Sequence, residues 1–127
     1  MSQIRFLTVA EVLLIHQDQI SRYGGSLGLR DASLLSSAVA MPEAKFSGKY
    51  LHEDLFEMAA AYLFHLCQNH AFVDGNKRVG LVACLIFLDL NGVFLEDSNG
   101  DFYNMVIDIT SGKIGKKEVA SLLREAK

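Results

Sequence analysis

Two apolar runs decide the fold: EDLFEMAAAYLFHLCQN at residues 53–69 and NKRVGLVACLIFLDL at residues 76–90. In the first, Leu55, Phe56, Met58, Ala59, Tyr62, Leu63, Phe64 and Leu66 spread around the whole circumference of a helix. In the second, Val79, Leu81, Val82, Leu85, Ile86 and Leu88 do the same, and Asn91-Gly92 supplies a C-terminal stop. A helix that is apolar all round must be covered on most sides. Two of them in succession predict the spine of an all-α fold, with shorter amphipathic helices wrapped around it.

Outward from this spine the signals stay helical. Thr8-Val9-Ala10-Glu11 has the spacing of a capping box, and Val12, Ile15, Gln19 and Ile20 continue a 3.6-residue stripe, which predicts a helix over 9–22. Tyr23-Gly24-Gly25 ends it. Asp31 is placed to cap a second helix, from Ala32 to about Met41, that stops before Pro42. Within residues 43–51, Phe46-Ser47-Gly48-Lys49-Tyr50 sets two short aromatic-bearing arms around a Ser-Gly step, which fits a small hairpin or flap as well as a plain loop. Val93-Phe94-Leu95 reads as a short extended piece, and two last helices are expected over 100–110 and 116–127, parted by Ser111-Gly112. No repeat, linker or low-complexity tract interrupts residues 1–127, so the expectation is one domain.

Composition narrows the function classes. Half of the 127 residues are apolar, 21% are charged and one is proline, which excludes a disordered chain, a collagen-like repeat and a disulfide scaffold. A formal net charge of -3 argues against a general nucleic-acid or anionic-membrane binder. Cys67 and Cys84 lie inside apolar stretches and read as buried free thiols of a reducing compartment. The N-terminus lacks the basic and apolar regions of a signal peptide. Val79 to Leu88, the longest apolar run, covers about ten residues, short of the ~20 that a membrane span needs. These features predict a soluble, cytoplasmic protein.

Between the two apolar runs lies a polar island, HAFVDGNKR at residues 70–78. One reading makes it an interhelical turn: Asp74 caps the next helix, Gly75 loosens the backbone, and Lys77 and Arg78 face solvent. The other is chemical. The start of a helix presents unpaired N–H groups and a partial positive charge that favour an anion. Gly75 lets the backbone come close, Asn76 can donate an amide N–H, and Lys77 and Arg78 add charge, the latter as a bidentate fork. Asp74 offers the hard oxygen preferred by Mg²⁺, which arrives with substrate phosphates and one or two carboxylates. His70 has an ordinary pKa near neutrality and can take a proton from a nucleophile. Together these make a phosphotransfer site, with Phe72 and Val73 expected to anchor the loop in the core.

The island resembles the signature of the Fic/Doc superfamily, in its Doc form. Fic proteins proper carry His-Pro-Phe-x-(Asp/Glu)-Gly-Asn-Gly-Arg-x-x-Arg; here Lys77 replaces the second glycine, and Leu81 stands where the last arginine would be. Ile20-Ser21-Arg22-Tyr23-Gly24-Gly25, Asp54-Leu55-Phe56-Glu57 and Phe87-Leu88-x-x-Asn91-Gly92 are also similar to Doc segments, so the likeness runs along nearly the whole chain. The resemblance implies a single-domain Fic/Doc helical fold and a toxin that uses ATP and Mg²⁺ to phosphorylate a threonine of elongation factor Tu. It implies that a Phd-type antitoxin blocks the toxin by folding a disordered tail into a groove. By position it makes His70 the base, Asp74 the metal ligand, and Gly75, Asn76, Lys77 and Arg78 the phosphate holders. Lysine in place of glycine fills space and adds charge beside a phosphate, which bears on which phosphate comes to lie near His70. AMP transfer on the same fold, and a non-catalytic protein-binding module, remain open on sequence alone.

Weaker signals surround the island. The segment Lys45 to Leu51 resembles the flap that holds a target peptide by strand addition in Fic-fold enzymes. His65 reads as a core histidine, and His16 and His52 as surface or cap residues. No Cys/His pair has zinc spacing. Ser121 to Glu125 faintly resembles the self-inhibiting motif of some Fic proteins, yet an amphipathic terminal helix accounts for the same residues. Gln68-Asn69 stand where the Doc type member has arginine and glycine, a departure that bears on the target more than on the reaction.

Overall fold

A computed structural model describes residues 3–97 and 99–127. Its elements are α1 (Val9–Tyr23), α2 (Ala32–Ala40), a 3₁₀ turn (Met41–Glu43), β1 (Lys45–Phe46), β2 (Lys49–Tyr50), α3 (Leu55–Asn69), α4 (Asn76–Leu90), α5 (Asp101–Thr110) and α6 (Lys116–Glu125). This is the expected all-α architecture with a short flap. Among the described residues no helix is long and apolar enough to cross a membrane.

Helix α3 is the axis. Six consecutive residues, Met58 to Leu63, are buried, because α2, α4 and α6 all pack against it. Gly80 lets α4 approach α3 tightly: an added Cβ there would lie 3.0 Å from the Cys67 sulfur and 3.1 Å from the Leu63 carbonyl oxygen. Phe87 of α4 then packs its ring, tilted by 49°, 5.1 Å from that of Tyr62. The Tyr62 hydroxyl accepts a 2.8 Å hydrogen bond from the Leu7 N–H, which ties the N-terminal segment to the core, and burial raises its pKa. Cys67 and Cys84 are buried free thiols; burial pushes Cys67 up to about 12, far from the range of a reactive thiolate.

Caps set the boundaries. The Thr8–Glu11 capping box is fully formed, Asp31 caps α2 through the Leu34 N–H, and Asp54 caps α3 through the Glu57 N–H. Asp54 acting as cap is why α3 begins at Leu55 instead of Glu53. Helix α2 stops at Ala40, where the 3₁₀ turn containing Pro42 takes over. In the flap, Lys45 pairs with Tyr50 and Phe46 with Lys49 across a Ser47-Gly48 turn whose residues both have positive φ, 51° and 79°. The extended piece expected at Val93 to Leu95 does not form a strand, because the segment finds no partner edge and Val93 and Leu95 pack against the core instead.

Two histidines depart from expectation. His16 and His52, expected at the surface or at caps, are only 4% and 7% exposed. The His16 ring lies flat on Phe72, with centroids 3.9 Å apart, while His52 sits beneath Lys116. His65, read as a core histidine, is half-buried, and Lys116 donates a 3.0 Å hydrogen bond to its Nε2.

Candidate active site

Residues 70–78 form the junction where α3 ends and α4 begins. His70 terminates α3 in the left-handed conformation, φ 52° and ψ 45°, which turns its exposed side chain out of the helix line. A non-glycine residue there carries about 1 kcal/mol or more of strain. Arg30 holds it: its Nε donates 2.7 Å to the His70 carbonyl and an Nη donates 3.4 Å to the Asn69 carbonyl. Residues 28–31 run beside the motif as a strap, through a Leu29–Phe72 bridge, bonds from the Arg30 and Asp31 N–H groups to the Ala71 carbonyl, and one from Val73 to Gly28. This antiparallel register sends Phe72 inward and Val73 outward. Val73 is therefore 59% exposed rather than anchored in the core as expected, and Phe72 is buried as expected.

Asp74 is exposed on the cleft floor. One carboxylate oxygen accepts from the Ser26 N–H at 3.1 Å and the other from the Gly75 N–H at 2.8 Å, and these two bonds lower its pKa. The N-cap of α4 is Gly75, at φ 81°, so Asp74 braces the turn without taking the cap position itself. The Asp74 carbonyl accepts from His16 Nε2 at 2.8 Å. Gly25 is obligatory beside it: a Cβ there would stand 2.7 Å from the Asp74 carboxylate, and φ is +117°.

The three polar residues that open α4 divide their work. Asn76 accepts from the Phe72 N–H and donates to the Phe72 carbonyl, both at 3.0 Å, so its amide staples the loop and keeps only one side-chain N–H to offer outward. Arg78 donates to the Gly24 carbonyl at 2.9 Å and the Gln19 carbonyl at 3.3 Å, capping the end of α1 with part of its fork. Lys77 is exposed and takes part in no ion pair among the described residues. The backbone N–H groups of Asn76, Lys77 and Arg78 likewise have no partner among the described residues.

A cleft of about 540 Å³ covers this ground, bounded by His70, Asp74, Gly75, Asn76, Lys77 and Arg78 on one side. The opposite wall is α5, through Phe102, Tyr103, Val106 and Ile107. Sequence reasoning missed α5 and Arg30 as parts of the site. The amphipathic pattern of α5 was a signal for an exposed apolar edge, whereas Arg30 had none. Gln68 and Asn69 are not among the cleft-lining residues: Gln68 donates to the Ile109 carbonyl and Asn69 to the Leu34 carbonyl, tying α3 to α5 and α2. Glu125 lines a second hollow and is not among the residues that line this cleft.

The donor set fits a magnesium-bound polyphosphate. A deprotonated carboxylate with free lone pairs, unpaired helix N–H groups and an uncommitted ammonium converge beside an imidazole, which is what such an anion requires. Asp74 would hold the metal, whose charge would offset that of the phosphates.

Fold and site together define a class: an all-α Fic/Doc fold with its polar loop at the junction of the two central helices. The chain belongs to the Fic/DOC family, whose model matches residues 6–88. It is 33% identical over 121 residues to the protein kinase Doc of Escherichia phage P1, an alignment covering 95% of this chain and 94% of that one. It is also 48% identical over 73 residues to the toxin Doc of Mycolicibacterium smegmatis, covering 58% and 56% of the two chains. Within the family the chain is of the Doc kind, a group of protein-modifying transferases.

Proposed function

We propose that residues 1–127 act as one Doc-type toxin of a toxin–antitoxin pair, transferring the γ-phosphate of ATP to a threonine hydroxyl of a protein, elongation factor Tu, and so halting translation in the cytoplasm. The observation that carries this reading is His70, ending α3 in a left-handed turn braced by Arg30 and lining the same cleft as the start of α4, whose first three N–H groups are unpaired among the described residues. In the reaction, His70 takes the hydroxyl proton as the oxygen bonds to the γ-phosphorus. The bond from that phosphorus to the β,γ-bridging oxygen breaks, and ADP leaves with that oxygen.

Lys77, Gly75 and the α4 N–H groups position the phosphates; Asn76 keeps the loop in shape with one N–H to spare, and Arg78 shares its charge between α1 and the cleft. Asp74 is the magnesium ligand. The partner antitoxin is of the Phd type and covers an apolar surface of the toxin as its tail folds.

The test is transfer to purified elongation factor Tu with ATP labelled at either the α- or the γ-phosphate. Label arriving from the γ position alone is expected. Label arriving from the α position would replace phosphoryl transfer with AMP transfer, and growth arrest unchanged in His70→Ala would replace both with a binding role.

A further inference from the structure

On the far side of α5 from the catalytic cleft lies a second hollow, of about 750 Å³, between the α4–α5 connection, α5 and α6. Its apolar surface is presented to solvent: Phe94 is 73% exposed and Leu122 42% exposed, with Phe102 and Met105 beneath. Five carboxylates line it, Glu96, Asp97, Asp101, Asp108 and Glu125, against one ammonium, Lys127. The resulting excess of negative charge is larger than the formal net charge of -3 carried by the whole chain. None of the five forms an ion pair among the described residues, whose ion pairs join Arg5, Arg22 and Arg124 to other acids. Asp97 accepts from the Phe102 N–H and Asp101 lies in the first turn of α5, and the carboxylates together leave an acidic groove beside exposed apolar side chains, a composition complementary to a basic and apolar partner. Asp97 and Phe102 line both hollows, so the two adjoin at the start of α5.

We propose that this groove receives a basic, apolar-anchored segment of the protein substrate, flanking the residue that enters the cleft. Its lysines or arginines meet the five carboxylates, and one or two large apolar side chains settle on Phe94 and Leu122. The inference rests on the transferase reading for the word substrate, and on charge and shape alone for the docking itself.

Binding is therefore measured apart from catalysis. The probe is a fluorescein-labelled peptide of about fifteen residues alternating Arg or Lys with Leu around one Thr, read by anisotropy on the full chain, beside a counterpart with Glu for every base. Expected is saturable binding of the basic peptide at about 50 mM salt that weakens about tenfold at 300 mM, with none for the acidic one. The Glu96→Gln/Asp101→Asn/Glu125→Gln variant should lose about tenfold, and Phe94→Ser should weaken binding at either salt concentration. His70→Ala should bind the peptide as well as the unaltered chain, so docking is read independently of transfer, and failure of transfer to elongation factor Tu would refute the reaction and spare the groove. Absent saturation, equal binding of the acidic peptide, or undiminished binding by the triple variant overturns the proposal.

Discussion

The guanidinium of Arg30 donates a 2.7 Å hydrogen bond to the carbonyl of His70, a residue 40 positions away and the one that ends α3 in a left-handed turn. Without that bond and its weaker companion to Asn69, the end of α3 would lose a donor for two carbonyls at the negative end of a helix dipole. The imidazole direction follows from the His70 backbone, so Arg30 is a positioning residue. Arg30→Ala is expected to lower kcat about tenfold while leaving the KM for ATP nearly unchanged, and Arg30→Lys should recover part of the loss. Steady-state phosphorylation kinetics check this; an equal fall in stability with no fall in kcat would make the contact purely structural.

His70 sits where glycine would be more comfortable. The left-handed region costs a side-chain-bearing residue about 1 kcal/mol that glycine does not incur. His70→Gly should therefore be more stable than His70→Ala by about 1 kcal/mol in urea denaturation, while both lose about 10²- to 10⁴-fold in transfer for want of the base. Equal stability of the two variants would mean that the turn relaxes when the imidazole is removed.

Most of the architecture was legible because its signals are local. Apolar residues all round 55–69 and 76–90 announce burial, and Thr8, Asp31 and Asp54 lie one residue before the helices they cap. The motif island was legible for the same reason, nine residues in one run. What escaped depends on pairing across long stretches of chain. His16 reads as an ordinary helix residue until Asp74, 58 positions on, offers its carbonyl to the imidazole. Arg30 follows a glycine-rich stretch and carries no local hint that it will cap α3. Helix α5 reads as one more amphipathic cover, and only its packing makes Tyr103 and Ile107 a wall of the cleft. Val73 turns outward because the register with residues 28–31 sets its direction, which nothing in its neighbours declares.

Gly80 opposes two effects of known size. Alanine gains about 1 kcal/mol of helix propensity over glycine, but its methyl would press on the Leu63 carbonyl at 3.1 Å and the Cys67 sulfur at 3.0 Å. The first of these is backbone in the middle of α3 and yields little, so overpacking of about 1–3 kcal/mol should prevail. Gly80→Ala is expected to be less stable by about 1 kcal/mol and Gly80→Val by more, read as a fall in the urea midpoint at constant slope. A stabilised Gly80→Ala would show that α3 and α4 separate easily, which the burial around them contradicts.

Acid should loosen α6 before it reaches the carboxylates. Lys116 donates to Nε2 of both His65 and His52, so each imidazole must keep a lone pair and stay neutral. Burial and then the nearby ammonium hold His65 down to about 4, against 6.5 ordinarily, and lower His52 in the same direction; Glu57 acts oppositely on His52 and does not prevail. Between pH 6.5 and 4 the unfolded chain binds a proton at His65 that the folded chain refuses, so stability falls as pH falls through that window and is level above it. Glu11, drawn down to about 2 chiefly by its hydrogen bond with Arg5, loses its contribution only below 4.5. Solvent at the half-buried ring trims the effect, and a drop in Tm on the order of 5 °C is expected between pH 7 and 4.5. His65→Gln, which can still accept from Lys116 but cannot titrate, should flatten that slope. Scanning calorimetry across the window would reject the assignment if the variant and the unaltered chain declined in parallel.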